Sequence, residues 1–177
     1  LNQIKKNSLN ENFEFIIVNN GSSDNSHIVL DEAKSRFKDI IFINITEDLG
    51  WGNGIMSGLK LASSEYLGWT HGDLQYDLCI LNEVYELIKN SENQKKNLLI
   101  KGLRKKRSFI EDFFSKTMSF VASIIMCKRL NDINSQPNFF SRSIFNLFEN
   151  TPKDLMLDLY LYYKVSKLKD KTILRLP

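Results

Sequence analysis

Phe13-Glu14-Phe15-Ile16-Ile17-Val18-Asn19-Asn20-Gly21-Ser22-Ser23-Asp24-Asn25-Ser26, residues 13–26, is the stretch from which the fold can be read. Phe13–Val18 is short, apolar and rich in β-branched and aromatic side chains, which predicts a buried strand. Gly21 permits a turn with φ > 0. Asp24 or Ser26 is placed to cap a helix over Ser26–Phe37. The same strand-to-helix step recurs downstream, with strands predicted at Ile40–Ile45, Tyr66–Thr70 and Leu98–Lys101 and helices at Asn53–Ala62 and Leu78–Asn90. Such alternation gives an α/β fold: a mostly parallel central sheet with right-handed crossovers, flanked by helices.

The last third reads differently. A long helix is predicted from Ser108 to Met126, then a turn over Asn131–Pro137, helices near Arg142–Phe148 and Asp154–Lys167, and a closing strand Thr172–Leu176. With no repeat, low-complexity tract or Pro/Gly-rich linker, the 177 residues are expected to form one domain, 1–177. A formal net charge of +3 is too small for wholesale nucleic-acid binding, so no nucleic-acid partner is expected. The two cysteines, Cys79 and Cys127, sit in apolar helical patterns and cannot build a disulfide framework, which suits a reducing cytoplasm. Only two histidines and no C-x-x-C argue against structural zinc. The most apolar stretch, 109–130, is interrupted by Glu111, Asp112, Lys116 and Lys128, and is not expected to cross a bilayer. A start at Leu1 rather than methionine reads as a piece of a longer chain.

In open parallel sheets ligands bind beyond the carboxyl ends of the strands. Four loops therefore matter: 19–25, 46–52, 71–77 and 102–107. In the first, the amides of Asn19 and Asn20 can meet a base or ribose, or the loop is a plain capped turn. The second carries Gly50, Gly52, Gly54 and Gly58. Glycines running into a helix allow close backbone approach and offer N–H groups to an anion. The spacing is not the dinucleotide G-x-G-x-x-G, and Gly58 within a helix implies tight packing there. In the third, His71, Asp73 and Gln75 alternate and can share one side, a sparse set for Mg²⁺ or Mn²⁺. Asp77 is the more natural helix cap, which leaves Asp73 without a structural task.

In this order, these loops resemble family-2 glycosyltransferases of the GT-A nucleotide-binding fold. The resemblance is closest to their dolichyl-phosphate mannose synthase-like and polyprenyl-phosphate glycosyltransferase branch. The family's V-D-D-G-S-x-D is matched by Val18-Asn19-Asn20-Gly21-Ser22-Ser23-Asp24, and its glycine segment by Gly50, Gly52, Gly54 and Gly58. Its D-A-D-L-Q is matched by His71-Gly72-Asp73-Leu74-Gln75, its G-x-R by Gly102-x-Arg104, and its acceptor-side D…R by Asp132 and Arg142.

The resemblance implies transfer of a sugar from a nucleotide-sugar donor, with inversion, to a lipid-phosphate or glycan acceptor in cell-envelope synthesis. It puts Asn19, Asn20, Asp24, Gly50, Gly54 and Gly58 around the donor, and Asp73, Gln75 and His71 around a divalent cation. It assigns Arg104, Lys105 and Arg142 to phosphate or acceptor, and Asp73, Asp132 and Arg104 to catalysis. Three departures stand out. The family's first strand is missing before Leu1, Asn20 replaces an acid, and His71 replaces the first aspartate.

Breaking a sugar–phosphate bond leaves a nucleoside diphosphate whose growing charge needs a cation or basic groups placed in advance. A phosphate acceptor is already a nucleophile, whereas a hydroxyl needs a base, for which Asp132 is the candidate; a turn cap is its other reading. The basic run Lys101–Arg107 reads as a solvated loop or as a grip on lipid phosphate and an anionic membrane. The phenylalanine-rich helix after it reads as packed on the sheet or as interfacial at the inner face of the membrane. Two rival classes remain: a non-catalytic nucleotide-binding module and a nucleotidyltransferase with a similar sheet.

Overall fold

The computed structural model describes residues 1, 4, 11–72, 77–90, 96–103 and 109–176. The predicted alternation fills its first part: β1 (Phe15–Asn20), α1 (Ser26–Arg36), β2 (Ile40–Ile45), α2 (Trp51–Leu59), β3 (Tyr66–Trp69), α3 (Ile80–Asn90) and β4 (Leu98–Gly102). The remainder is α4 (Phe109–Ile125), β5 (Asn138–Ser141), a single turn α5 (Arg142–Phe145), α6 (Leu157–Lys167) and β6 (Thr172–Leu176). Among the described residues the strands make a parallel pair, β1–β2, and a four-stranded sheet in the order β3-β5-β4-β6. β4 and β6 are parallel, and β5 alone runs against its neighbours. The mostly parallel sheet with flanking helices is thus present, with one reversal.

That reversal is the element the sequence reading lacks. A turn was expected through Pro137, leading into a helix at Arg142, and four residues between them pair as a strand instead. A strand this short carries no periodicity of its own; it exists because β3 and β4 offer it both edges. β1 also begins two residues later than expected, so Asn19 and Asn20 belong to the strand and pair with Asn44 and Ile45.

Side-chain alternation in the four-stranded sheet sorts its two faces. Leu67 and Trp69 of β3, Leu99 of β4 and Phe140 of β5 meet Leu157, Leu161 and Val165 of α6 and Met56 and Leu59 of α2. On the other face, Leu98 and Ile100 meet Val84 of α3, with Leu87 and Ile88 beside it. α3 shows the helical spacing that this demands, with Leu81, Val84 and Ile88 on one stripe. Its start is capped by Asp77, which accepts the Cys79 N–H at 3.0 Å. Phe13 packs on Phe139 of β5, and two further contacts tie the β1–β2 pair to the larger sheet. Glu14 accepts from Ser63 N at 2.8 Å, Ser63 Oγ at 3.1 Å and Ser64 Oγ at 3.2 Å, and α2 lies on β1 where Gly58 faces Val18 and Ile16.

Gly52 packs so tightly beneath residues 152–154 that a Cβ would overlap the carbonyl oxygens of Pro152 and Asp154, whereas a Cβ on Gly72 meets open space. Gly52→Ala should therefore lower unfolding stability by about 1–3 kcal/mol. Gly72→Ala should change it by less than about 0.5 kcal/mol. Urea unfolding of the two variants measures the difference, and equal effects would remove the packing account.

Candidate functional site

All four loops singled out above are described in whole or part, and side chains tie the first three together beyond the strand ends. At the end of β1, Gly21 turns the chain with φ 69, and its N–H donates to the Ile45 carbonyl at 3.0 Å. A side chain there would run into the backbone of Glu47 and Asp48. Asn20 spends its amide on the second loop: Nδ2 donates to Asp48 Oδ1 at 2.7 Å and to the Gly50 carbonyl at 3.2 Å, and Oδ1 accepts from Leu49 N at 3.3 Å. Asp48 also accepts from Gly50 N at 2.8 Å. The carboxylate at this junction is thus Asp48, which sequence reading passed over because it lies one loop away from the motif.

Asn19 is buried and likewise engaged, donating to Asn44 Oδ1 at 2.7 Å and accepting from Ser22 N at 3.3 Å. Asp24 is exposed and accepts from Ser26 N at 2.9 Å. That bond, from Ser26's side chain and backbone together, holds the Asp24 carboxyl below its ordinary value. Asn19, Ser22, Asp24 and Ser26 line an open groove of about 530 Å³, closed on one side by Val29 and Leu30 of α1. A groove of this size accommodates a small-molecule ligand.

The glycines of the second loop face protein. Gly50, at φ 84, backs onto the Lys153 carbonyl; Gly54 rests on the Asn20 side chain, and Gly58 lies so close to Val18 that an added Cβ would be 3.0 Å from its Cγ2. The N–H of Gly52, in the first turn of α2, donates to the Lys153 carbonyl at 2.8 Å. The helix start was expected to offer these groups to an anion. Instead the 152–154 segment and Asn20 occupy the space, which corrects that reading of Gly50, Gly54 and Gly58.

His71 follows β3 and sets its ring against Trp51, the first residue of α2, with centroids 5.8 Å apart. This joins the second and third loops. Asp73 and Gln75, the carboxylate and amide of the cation set, and Arg104 and Lys105 of the basic run lie outside the described residues. Asp132 is described: it adopts φ 50 and accepts from Ser135 N and Oγ through its carbonyl, at 3.3 and 2.8 Å. Arg142 stands apart. Because β5 is antiparallel, Ser141 pairs with Tyr66 at the start of β3 and Asn138 pairs with Trp69 at its end. Arg142 therefore sits at the far end of the sheet from His71, where its guanidinium donates to the carbonyls of Ala62 and Ser64 at 2.6–2.8 Å. The structure does not bring it to the site, which corrects its assignment to the acceptor.

Beneath the loops is a polar cluster that the sequence reading missed. Lys101 shares a face of β4 with Leu99 and so points into the core, wholly buried. Its Nζ donates to the Ser135 carbonyl at 3.0 Å and to Asn138 Oδ1 at 2.7 Å. Asn138 Nδ2 passes the contact on to Asp158 Oδ1 at 2.7 Å. Asp158, 3% exposed on α6, also accepts from Trp69 Nε1 at 3.2 Å and Gln136 Nε2 at 3.1 Å. The opposite charges of Lys101 and Asp158 balance across one amide. A signal for this existed: in Leu157-Asp158-Leu159-Tyr160-Leu161-Tyr162, Asp158 falls on the stripe of Leu161, Tyr162 and Val165.

Burial raises the Asp158 carboxyl above its ordinary value, against the pull of the Lys101 charge, the Trp69 bond, the His71 charge and the Gln136 bond. A raised acid keeps its proton longer in the native than in the unfolded chain, so between the ordinary and the raised value stability falls as pH rises. Wild type should show this fall in melting experiments from about pH 4 upward, and Asp158→Asn should lack it. Parallel pH profiles for the two proteins would mean that Asp158 titrates as in the unfolded chain. Asp158→Leu should cost about 3–5 kcal/mol, since three donors and Lys101 lose their partner.

The chain matches the family described as Glycosyl transferase family 2 over residues 1–114. It is also similar to the poly-beta-1,6-N-acetyl-D-glucosamine synthases of Staphylococcus aureus strains COL, MSSA476 and N315. Each is 28% identical over 144 residues, covering 80% of this chain and 33% of the synthase. The chain thus spans about a third of the length of the curated relatives it matches. They are named as glycan synthases rather than as members of the dolichyl-phosphate branch, so the resemblance stands at the level of the family. Matched over well more than half its length, and with its strand ends gathered as the α/β reading requires, the chain belongs to glycosyl transferase family 2.

Proposed function

We propose that this chain is the catalytic domain, spanning 1–177, of an inverting glycosyltransferase that moves a sugar from a nucleotide-sugar donor to a cell-envelope glycan. The observation that carries this reading is the linkage of loops beyond the strand ends, from Asn20 through Gly50 and Trp51 to His71. Family membership gives that linkage its chemistry. One domain is favoured because β5, beyond the matched residues, joins β3 to β4 within them.

The donor nucleotide is assigned to the groove of Asn19, Ser22 and Asp24. Its departing diphosphate is assigned to Arg104 and Lys105, whose charge would offset the negative charge that develops as the bond breaks. Members of this family commonly use divalent cations, and Mg²⁺ or Mn²⁺ is the expected ion. Among the described residues no three His, Cys, Asp or Glu side chains come together. By their place in the motif, the ion is assigned to Asp73 and Gln75, a carboxylate and an amide oxygen that suit a hard cation. His71, an imidazole against Trp51, fits it less well. Bound there, the ion would supply charge neutralisation for the leaving diphosphate.

A hydroxyl acceptor must lose a proton. Asp132 is the proposed base, since it is half-buried in the turn leading to the Ser135–Asn138 cluster, whereas Asp158 is covered by its donors. The glycan acceptor draws support from the name of the relatives, and a polyprenyl phosphate, which needs no base, draws it from the basic run. Two cysteines are too few for a disulfide framework, which favours the cytoplasmic side, at the inner face of the membrane. His71 and Asn20, standing where the family has acids, favour one alternative, a non-catalytic nucleotide-binding module.

The test is nucleotide-sugar turnover by the full-length protein. Asp73→Asn should lower it by about 100-fold or more with melting unchanged. His71→Ala should cost less, and Arg104→Ala more than Lys106→Ala. Full turnover in Asp73→Asn would move the metal site elsewhere, and nucleotide binding without turnover in wild type would leave the binding module.

A further inference from the structure

Among the side chains of α4 that the structure describes, those turned toward the protein are small or polar: Ser119 is 6% exposed, and Ala122 and Ser123 are half-buried. Ser123 Oγ donates to the Ser119 carbonyl at 2.6 Å and accepts from Leu130 N at 2.9 Å, fixing this face against the chain that follows. The outward face carries Phe113, Phe120, Val121, Ile124 and Ile125, with Phe120 66% and Ile125 70% exposed. At helical spacing, Phe113, Phe120 and Ile124 form one line, and Val121 and Ile125 widen it. An apolar stripe of this breadth facing water calls for an occupant.

The charges beside it say which. Lys116, Lys128 and Arg129 are all exposed, and the acids of α4, Glu111 and Asp112, precede the stripe in its first turn. An anionic lipid surface offers apolar depth to the stripe and phosphate to its basic flank. At 17 residues α4 is about 25 Å long, and no helix among the described residues is long and apolar enough to cross a membrane. The fit is to lying in the interface.

We infer that α4 docks flat on an anionic membrane, with Phe113, Phe120, Val121, Ile124 and Ile125 entering the acyl boundary and Lys116, Lys128 and Arg129 on the headgroups. The inference deepens the membrane side of the proposed function but needs no sugar transfer, so it is tested without donor and can fail by itself.

The experiment is co-sedimentation of the 177-residue chain with phosphatidylglycerol–phosphatidylcholine vesicles and with phosphatidylcholine vesicles alone. Binding should be at least about tenfold tighter on the anionic vesicles and should weaken with salt. Phe120→Asp and Ile124→Asp should each reduce it by about tenfold or more, with circular dichroism and melting unchanged because both sites are exposed. The triple change Lys116→Glu, Lys128→Glu and Arg129→Glu should abolish the preference for anionic lipid. Three results would overturn the inference: no vesicle binding, binding that ignores the α4 variants, or a lipid-free dimer that Phe120→Asp dissociates.

Discussion

A carboxylate and an ammonium taken out of water each need partners, and in this chain one amide, that of Asn138, serves both. Asp158 and Lys101 lie on different elements, α6 and β4, and meet through Asn138 of β5. Trp69 adds β3, and Gln136 adds the segment leading into β5. One buried polar network thus fastens three strands and a helix at the end of the sheet from which the loops depart. The arrangement costs desolvation that an apolar core would avoid. What it supplies is register: the network closes only when Asn138 stands opposite Trp69 on one side and Lys101 on the other, as the ladder has it.

Above that base the loops are held by backbone-scale contacts. Gly50 and Gly52 lie under the carbonyls of residues 152–154, and Asn20 binds Asp48, Leu49 and Gly50 at once. A loop fixed through carbonyls and amides leaves its shape little freedom, which suits a site that must be ready before a charged ligand arrives. The same economy explains why motif residues expected at a ligand are found holding the walls of the cleft. α4 contrasts with this, since among its described side chains Phe113, Phe120, Val121, Ile124 and Ile125 are exposed while Ser119 is buried.

Much of this was legible from residue order. Strand and helix types, the turn at Gly21, the cap at Asp77 and the packing demand at Gly58 each follow from local chemistry, because propensity, periodicity and turn sterics act over a few neighbours. The family could be read the same way, since its loops carry their signature in consecutive residues. What tertiary structure decided involves residues far apart in sequence. β5 forms because two distant strands accept it, and its reversed direction alone carries Arg142 away from the strand ends. Lys101 reads as one more basic residue in a run until strand alternation turns it inward, and Asp158 reads as a helix surface until Trp69 and Gln136 arrive from elsewhere. Sequence by itself determined which elements form and where the loops lie. Only the fold determined which polar groups meet, because burial and partnership are properties of neighbours in space.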